Sequence, residues 1–164
     1  MDFSDAQLAG MRTRAQPIPF GEAERLAWAE QFNRLPAVRK FETAIDLRDP
    51  ALVRVVLETI HEHHLGGLRL RAVNGAVLAG LFDCALGVAG TLQFRDKRAG
   101  TCELSIKFMR AVFDAPIEAF AACVKRTDTL AFTECTLFSN GRLCAMATGL
   151  VAVAADRGGE EAFW

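Results

Sequence analysis

The sequence lacks most of the features that assign a function directly. It contains no tyrosine and no C-x-x-C pair, and 19 Lys and Arg against 20 Asp and Glu leave a formal net charge of -1. A balanced charge gives a chain no general affinity for nucleic acid or for an anionic membrane. We therefore expect neither a nucleic-acid partner nor a membrane partner.

A long uninterrupted apolar run is missing as well. The longest nearly uncharged stretch, 73–91, is interrupted by Asn74 and Asp83 and contains several glycines, which makes it a poor membrane span. The acidic N-terminus has no basic region followed by an apolar run, so no signal peptide is predicted. These absences lead us to expect a cytoplasmic protein.

Five cysteines are present, an odd number, and each lies in an apolar or alternating segment. We interpret them as small, reduced core residues and not as a disulfide framework. They are Cys84, Cys102, Cys123, Cys135 and Cys144.

The 164 residues, 51% of them apolar, suffice for one domain with its own core. Residues 1–50 are predicted to form an N-terminal helical extension, with helical spacing over 21–33 and a second short helix over 36–45. Residues 51–155 are predicted to form the main domain. The polar tail, 156–164, is predicted to be flexible.

Strand patterns dominate the second half of the chain. A β-branched segment at 51–61 comes first, and alternating segments follow after residue 100. Ser139-Asn140-Gly141 is a strong hairpin signal. We predict a meander of four antiparallel strands, over 101–109, 117–126, 130–138 and 142–153.

Between these strand patterns lies a segment, 74–90, that is apolar on almost every side of a helix, which predicts a buried helix. Asn74 is a suitable N-cap. The predicted architecture is α+β, an antiparallel curved sheet wrapped around this central helix. Asp83 is the only charged residue between Arg71 and Arg95. It is either a structural aspartate with a local partner or a catalytic carboxylate.

The helical segment NGAVLAGLFDCALG resembles the motif H-G-G-x(6)-D of hotdog-fold thioesterases of the 4-hydroxybenzoyl-CoA and phenylacetyl-CoA type. The later segments GTCELSIKFMRAV and VKRTDTLAFTECTLFSNGRLCAMATGLVAV are similar to the strands of that family. The resemblance covers about 53–153 and implies the hotdog fold and an acyl-CoA thioesterase activity. Coenzyme A would then be part of the substrate, and no separate cofactor is expected.

The resemblance also implies roles for individual residues. Gly75 matches the glycine whose N–H polarises the thioester carbonyl, and Asp83 matches the catalytic acid, which acts as general base or nucleophile. Thr101 stands where related enzymes have a hydroxyl that orients water. Asn74 replaces the motif's histidine and Ala76 its second glycine.

Gly75 and Asp83 are separated by about 12 Å along one helix. One helix cannot bring both to the same carbonyl carbon. We therefore expect a homodimer with shared active sites, and similar proteins often assemble further into a dimer of dimers.

All three histidines lie in the segment 61–64. They form a solvated strand end, belong to the mouth of the active site, or bind a metal. No third metal ligand is recognisable in the sequence, so no metal site is predicted. At the mouth, His63 or His64 would supply the donor that Asn74 cannot.

The positions of several other side chains make them candidates for binding the substrate. Arg110, Lys125 and Arg126 are candidates for the phosphates of coenzyme A, although basic residues at turns are also ordinary surface charge. Phe82 and Leu86 are candidates for the acyl pocket, together with Phe108 and Met109. The acyl group is expected to be small, medium-chain or aromatic.

Two other functions are compatible with a hotdog fold. One is a non-catalytic acyl-CoA-binding module, and the other is a hotdog dehydratase or hydratase. A buried carboxylate is of no use to a binding tunnel, so Asp83 favours catalysis over the first. The helix motif does not resemble that of the dehydratases.

Overall fold

The computed structural model of the protein describes residues 3–66 and 71–155. The predicted flexible tail, 156–164, lies outside this part. The helices are α1 (Phe3–Arg14), α2 (Glu22–Arg34), α3 (Pro36–Lys40) and α4 (Gly75–Thr91), with a 3₁₀ turn at Glu62–His64. The strands are β1 (Ala44–Asp46), β2 (Val53–Leu57), β3 (Ala99–Phe108), β4 (Ile117–Arg126), β5 (Leu130–Ser139) and β6 (Arg142–Val153).

The six described strands form one antiparallel sheet in the order β1-β2-β4-β5-β6-β3. The predicted four-strand meander is therefore correct for β4, β5 and β6 and wrong for β3, which pairs with β6 at the sheet edge. The connection 109–116 has enough length for this crossover. It can reach ~26 Å, whereas three strand spacings amount to ~14 Å.

Helix α4 packs across the inner face of the sheet and contacts strands β2 to β6. Its buried side chains share one core with inward-facing alanines of the strands, among them Ala119, Ala121, Ala145 and Ala147. Small residues on the sheet let the helix approach closely. The predicted architecture, an antiparallel sheet wrapped around a central helix, is confirmed.

The N-terminal helices surround this unit. Met11 of α1 is buried on the outer face of the sheet against Leu52 and Ala122. The helix predicted over 21–33 corresponds to α2. The short helix predicted over 36–45 ends at Lys40, and Ala44–Asp46 instead pairs with β2 as an edge strand.

Strand β2 is shorter than the predicted strand at 51–61. Leu57 pairs with Ile117, the first residue of β4, so residues beyond Leu57 have no partner on that strand. Asn140 and Gly141 form the predicted hairpin, and their φ angles of 46° and 74° suit a tight β-hairpin turn.

The cysteines are free thiols, as expected, but not all are core residues. Cys123, Cys135 and Cys144 are buried, Cys84 is partly buried, and Cys102 is exposed at a bulge of β3. Within the described residues, no helix is long and apolar enough to cross a membrane.

Candidate active site

Helix α4 begins at a well-formed cap. The Oδ1 atom of Asn74 accepts a hydrogen bond of 2.8 Å from the N–H of Ala76. No acceptor among the described residues lies within hydrogen-bond distance of the Gly75 N–H. Both residues are exposed. The first turn of α4 therefore offers an accessible N–H at the positive end of the helix dipole.

Asp83 lies two turns further along α4, and its side chain is exposed. The expectation of a carboxylate buried inside the helix core is thus wrong for the single chain. The helix is buried on the side of Phe82 and Leu86, whereas Asp83 lies on the opposite side, among small residues. No described residue donates a hydrogen bond to its carboxylate or pairs with it in a salt bridge, so the structural role considered for Asp83 has no partner in this chain.

Thr101 lies on the same side of α4 as Asp83. A Cβ added to Gly87 would be 3.0 Å from the Oγ1 atom of Thr101. Residues 83 and 87 are one helical turn apart and share a face. The hydroxyl of Thr101 is therefore close to the surface that carries the Asp83 carboxylate, as a water-orienting group would be.

The Gly75 N–H and the Asp83 carboxylate remain separated by about 12 Å along the helix axis. Both are accessible from outside the chain. One copy of the protein therefore does not bring these two groups to one thioester.

Arg110 lies close to the beginning of α4. It follows the end of β3, its Nη1 donates to the carbonyl of Leu143 at 2.7 Å, and its side chain is exposed. In the same loop the carbonyl of Val112 accepts from the N–H of Val73 at 2.8 Å. These contacts hold the Arg110 loop beside the free Gly75 N–H.

Lys125 and Arg126 lie at the other end of α4. The Nη1 atom of Arg126 donates to the carbonyl of Gln93 at 2.8 Å, just beyond the helix C-terminus. The 17 residues of α4 span about 25 Å. Within one chain, Arg110 and the pair Lys125 and Arg126 therefore do not form one phosphate site.

The apolar residues assigned to the acyl group fall into two sets. Phe82 is fully buried in the core between α4 and the sheet, so no part of it is accessible in the single chain. Phe108 and Met109 are 53% and 46% exposed. The Phe108 ring lies 3.7 Å from the position of a Cβ on Gly75. An apolar surface therefore adjoins the free N–H of α4.

The three histidines cluster around a carboxylate that sequence reasoning missed. The Nε2 atoms of His61, His63 and His64 lie 3.4, 3.6 and 3.8 Å from Oε2 of Glu42. The segment 61–64 forms a 3₁₀ turn and not a strand end. Glu42 was not recognisable as a partner because nothing in the sequence links it to this turn.

His64 itself is buried and adjoins the cap of α4. Its carbonyl accepts a hydrogen bond of 2.8 Å from the N–H of Asn74. Burial, followed by the neighbouring His63, lowers the pKa of His64 below its usual value. The imidazole is therefore neutral at neutral pH, and the backbone of this turn is fixed to the start of α4.

Two surface cavities lie on the outer face of the sheet. One, of about 130 Å³, is lined in part by Met11, Glu134 and Thr136, and the other, of about 400 Å³, by Arg54 and Phe120. Neither is lined by Gly75 or Asp83. Gly75 and Asp83 are both exposed on the single chain.

The family model described as the thioesterase superfamily matches residues 71–145. This region contains α4, β3, β4 and β5, and with them the predicted catalytic residues Asn74, Gly75, Asp83 and Thr101. The N-terminal helices lie outside it. No curated protein sequence shows a significant match to this chain.

Several solved structures share the fold. The PaaI protein of the phenylacetic acid degradation operon of E. coli is 16% identical, with a TM-score of 0.70 over 82% of this chain and 97% of that one. The thioesterase HI1161 of Haemophilus influenzae is 14% identical, with a TM-score of 0.70 over 80% and 91%. A thioesterase family protein of Silicibacter pomeroyi is 19% identical, with a TM-score of 0.68 over 82% and 100%. The predicted hotdog fold is confirmed.

Proposed function

We propose that this chain, a hotdog-fold protein that matches the thioesterase superfamily over residues 71–145, hydrolyses an acyl-CoA thioester. The observation that carries the proposal is the arrangement on α4. The helix presents a free N–H at Gly75 and an exposed carboxylate at Asp83, and the hydroxyl of Thr101 lies near the latter.

In thioester hydrolysis, negative charge develops on the carbonyl oxygen. The N–H of Gly75, at the positive end of α4, is suited to stabilise this charge. Asp83 takes a proton from the attacking water, or attacks the carbonyl carbon itself and forms an anhydride that water then opens. The carbon–sulfur bond breaks, and the thiolate of coenzyme A leaves and takes up a proton.

The proposed site is shared between two copies of the chain. Gly75 of one copy and Asp83 of the other then reach the same carbonyl carbon, which the separation along one helix forbids within a single copy. Strand β3 supports this assembly because it is the last strand at its edge of the described sheet. Its outward backbone groups are available to a second copy. Assembly of two dimers into a tetramer stays a prediction.

The substrate is proposed to be a small, medium-chain or aromatic acyl-CoA. The exposed Phe108 and Met109 adjoin the Gly75 N–H and would contact the acyl group or the pantetheine arm. Arg110 would bind a phosphate at this end of the helix. Lys125 and Arg126 would serve the same site only if they come from another copy. The cytoplasmic location remains a prediction.

The test is thiol release from a panel of short, medium, long and aromatic acyl-CoAs, with wild type beside Asp83→Asn. We expect hydrolysis of at least one member and a loss of at least ~100-fold in Asp83→Asn, typical of removing a general base. Asp96→Asn, which changes another exposed aspartate, is the matched control and should retain full activity.

Two further measurements, of acyl-CoA binding and of enoyl-CoA or hydroxyacyl-CoA conversion, distinguish the alternatives. Tight binding of acyl-CoA without thiol release would identify a binding module. Conversion of an enoyl-CoA or hydroxyacyl-CoA without thiol release would identify a dehydratase or hydratase. Equal activity of wild type and Asp83→Asn would remove Asp83 from the mechanism.

A further inference from the structure

Three histidine side chains of one segment surround a carboxylate oxygen of Glu42, which belongs to another segment. Glu42 follows α3, and the histidines belong to the turn at 61–64. The Nε2 atoms of His61 and His63 lie 3.4 and 3.6 Å from Glu42 Oε2. Zinc–ligand distances of ~2.0–2.1 Å place two ligands of a tetrahedral ion about 3.4 Å apart. Each of these two histidines therefore lies at a distance from Glu42 that suits two ligands of one metal ion, and among the described residues the group whose ligand atoms all lie within 4.8 Å of one another is Glu42, His63 and His64.

His64 is distinguished by its burial and by the position of its ring proton. Only 1% of its side chain is exposed, and its Nδ1 accepts a hydrogen bond of 3.0 Å from the N–H of His61. In the neutral ring the proton is then on Nε2. Within the described residues that N–H forms no well-aligned hydrogen bond, although the carbonyl of Phe41 lies nearby.

The ring N–H of His64 also lies near the carboxylate of Glu42. Its Nε2 lies 3.8 Å from Glu42 Oε2, so a small movement of the carboxylate completes the hydrogen bond. Histidine that carries its proton on Nε2 cannot offer that atom to a metal. His64 therefore suits the role of an outer donor that orients a metal-binding carboxylate.

Glu42 occupies a backbone position that is unfavourable for its residue type. Its φ is 54°, in the left-handed region, immediately after the C-cap residue Phe41 of α3. Glycine is the usual residue at this position of a helix end. A glutamate held there, with its carboxylate among three imidazoles, is the kind of local strain found at binding sites.

We propose that Glu42, His61 and His63 bind one divalent transition-metal ion of the zinc type, with His64 donating a hydrogen bond to Glu42. Imidazole with carboxylate suits zinc, cobalt, nickel and copper, whereas magnesium and calcium require oxygen ligands alone. His61 and His63 are about half exposed, so their rings are free to turn toward the ion. A fourth position remains open to solvent.

The ion would connect two parts of the chain. Phe41, next to Glu42, covers α4 at Gly80, where an added Cβ would lie 2.9 Å from the ring. On the other side, the carbonyl of His64 holds the N–H of Asn74. Bound metal would therefore fix both the segment after α3 and the 61–64 turn against the first half of α4. This site is independent of the proposed hydrolysis.

The experiment uses full-length protein without a polyhistidine tag, treated with a chelator and then titrated with Zn²⁺ by calorimetry. We expect one equivalent to bind and the melting temperature to rise by about 5–10 °C at a hundredfold excess over Kd. Glu42→Gln and His63→Ala should weaken binding by more than ~100-fold, and His64→Gln by ~10–100-fold. Glu58→Gln, which changes an exposed glutamate elsewhere, should bind as wild type does.

A second measurement needs no variant. Co²⁺ added to the wild-type protein should give visible d–d absorption bands of a low-coordinate nitrogen and oxygen site, and Zn²⁺ should abolish them. Absence of binding at 1 mM Zn²⁺, or binding unchanged in both Glu42→Gln and His63→Ala, would overturn the proposal. The cluster would then be a set of histidines paired with Glu42 through protons alone.

Discussion

Gly90 of α4 and Val151 of β6 are packed so closely that a Cβ added to the glycine would lie 2.5 Å from the valine side chain. Real Cβ atoms do not approach other atoms to this distance, so the helix backbone itself rests on the strand. We expect Gly90→Ala to lower the free energy of unfolding by about 1–3 kcal/mol, because a methyl group there overpacks the core. Urea unfolding measures the change.

Gly100 is the matched control for that substitution. A Cβ on this glycine would meet nothing within 4 Å, so Gly100→Ala should change the free energy of unfolding by no more than ~0.5 kcal/mol. Equal destabilisation by the two variants would show that the close contact between α4 and β6 is not what requires glycine at residue 90.

Arg25 is a buried cation that satisfies three backbone carbonyls at once. Its guanidinium donates to the carbonyls of Leu47, Phe20 and Arg48 at 2.9, 3.0 and 3.1 Å. We expect Arg25→Ala to lower the free energy of unfolding by about 3 kcal/mol, because three hydrogen bonds from a charged group are lost and the buried carbonyl of Leu47 is left unpaired.

Arg25→Lys should recover less than half of the lost free energy of unfolding, since one ammonium cannot reach the three carbonyls as the planar guanidinium does. Arg34→Ala removes an exposed arginine from the same helix and should cost under ~0.5 kcal/mol. Thermal or urea unfolding of the three variants distinguishes a structural arginine from general loss of charge.

Gly75→Pro tests the proposed role of the Gly75 N–H directly. Proline removes this N–H, yet it is favoured at the first position of a helix, and Asn74 has the extended backbone, with ψ 135°, that a following proline requires. We expect thioester turnover to fall by ~10²–10³-fold, as when one oxyanion donor is lost. Gly75→Ala retains the N–H and should retain most of the activity, with both variants folded by circular dichroism.

A mixture of Gly75→Pro and Asp83→Asn chains tests whether the site is shared. If each site takes Gly75 from one copy and Asp83 from the other, a mixed dimer has one intact site and one doubly altered site. Refolding equal amounts together should then restore about a quarter of wild-type activity, because half of the two-fold symmetric dimers are mixed. A site confined to one chain predicts no recovery above the two separate variants.

The thiol of Cys84 makes the free energy of unfolding depend on pH in the alkaline range. Burial, and then the adjacent charge of Asp83, raise the pKa of its thiol from 9.0 to about 11. The folded state therefore keeps the proton more strongly than the unfolded state. The corresponding stability is fully present below pH 9 and is lost as the pH rises through 11. The loss should reach about 2–3 kcal/mol.

Three other buried thiols, those of Cys123, Cys135 and Cys144, also have raised pKa values. The loss of stability of the wild-type protein at alkaline pH is therefore the sum of several thiol contributions. The contribution of Cys84 is the difference in slope between wild type and Cys84→Ala, measured by urea unfolding from pH 8 to pH 11. Identical slopes would mean that the thiol of Cys84 is not shielded from solvent in the folded protein.

The sequence was sufficient to predict those features that depend on neighbouring residues. The apolar surface of α4, its Asn74 cap, strands β4 to β6 and the turn at Asn140 and Gly141 all follow from local spacing and turn chemistry. The position of β3 beside β6 does not, because pairing across the sheet depends on contacts between distant segments.

The same limit explains what was missed at the candidate site. Small residues count as apolar in a helical pattern, although they cover little surface. The face of α4 that carries Asp83 consists of such residues, Ala76, Ala79, Gly80 and Gly87, and it is therefore not covered by the core. Glu42 itself adopts a left-handed conformation just beyond α3 and lies beside the histidines of a distant turn. Neither effect can be seen from periodicity.

The order of strands in the sheet also has a consequence for how the chain folds. Strands β4, β5 and β6 are joined by short turns and can pair early, since closing a short loop costs little entropy. Strand β2 must find β4 across the whole of α4 and β3, as in the pairing of Arg54 with Phe120. Such distant pairing is slow. The hairpins of the second half are therefore expected to form the nucleus, and the N-terminal strands to add to an existing sheet.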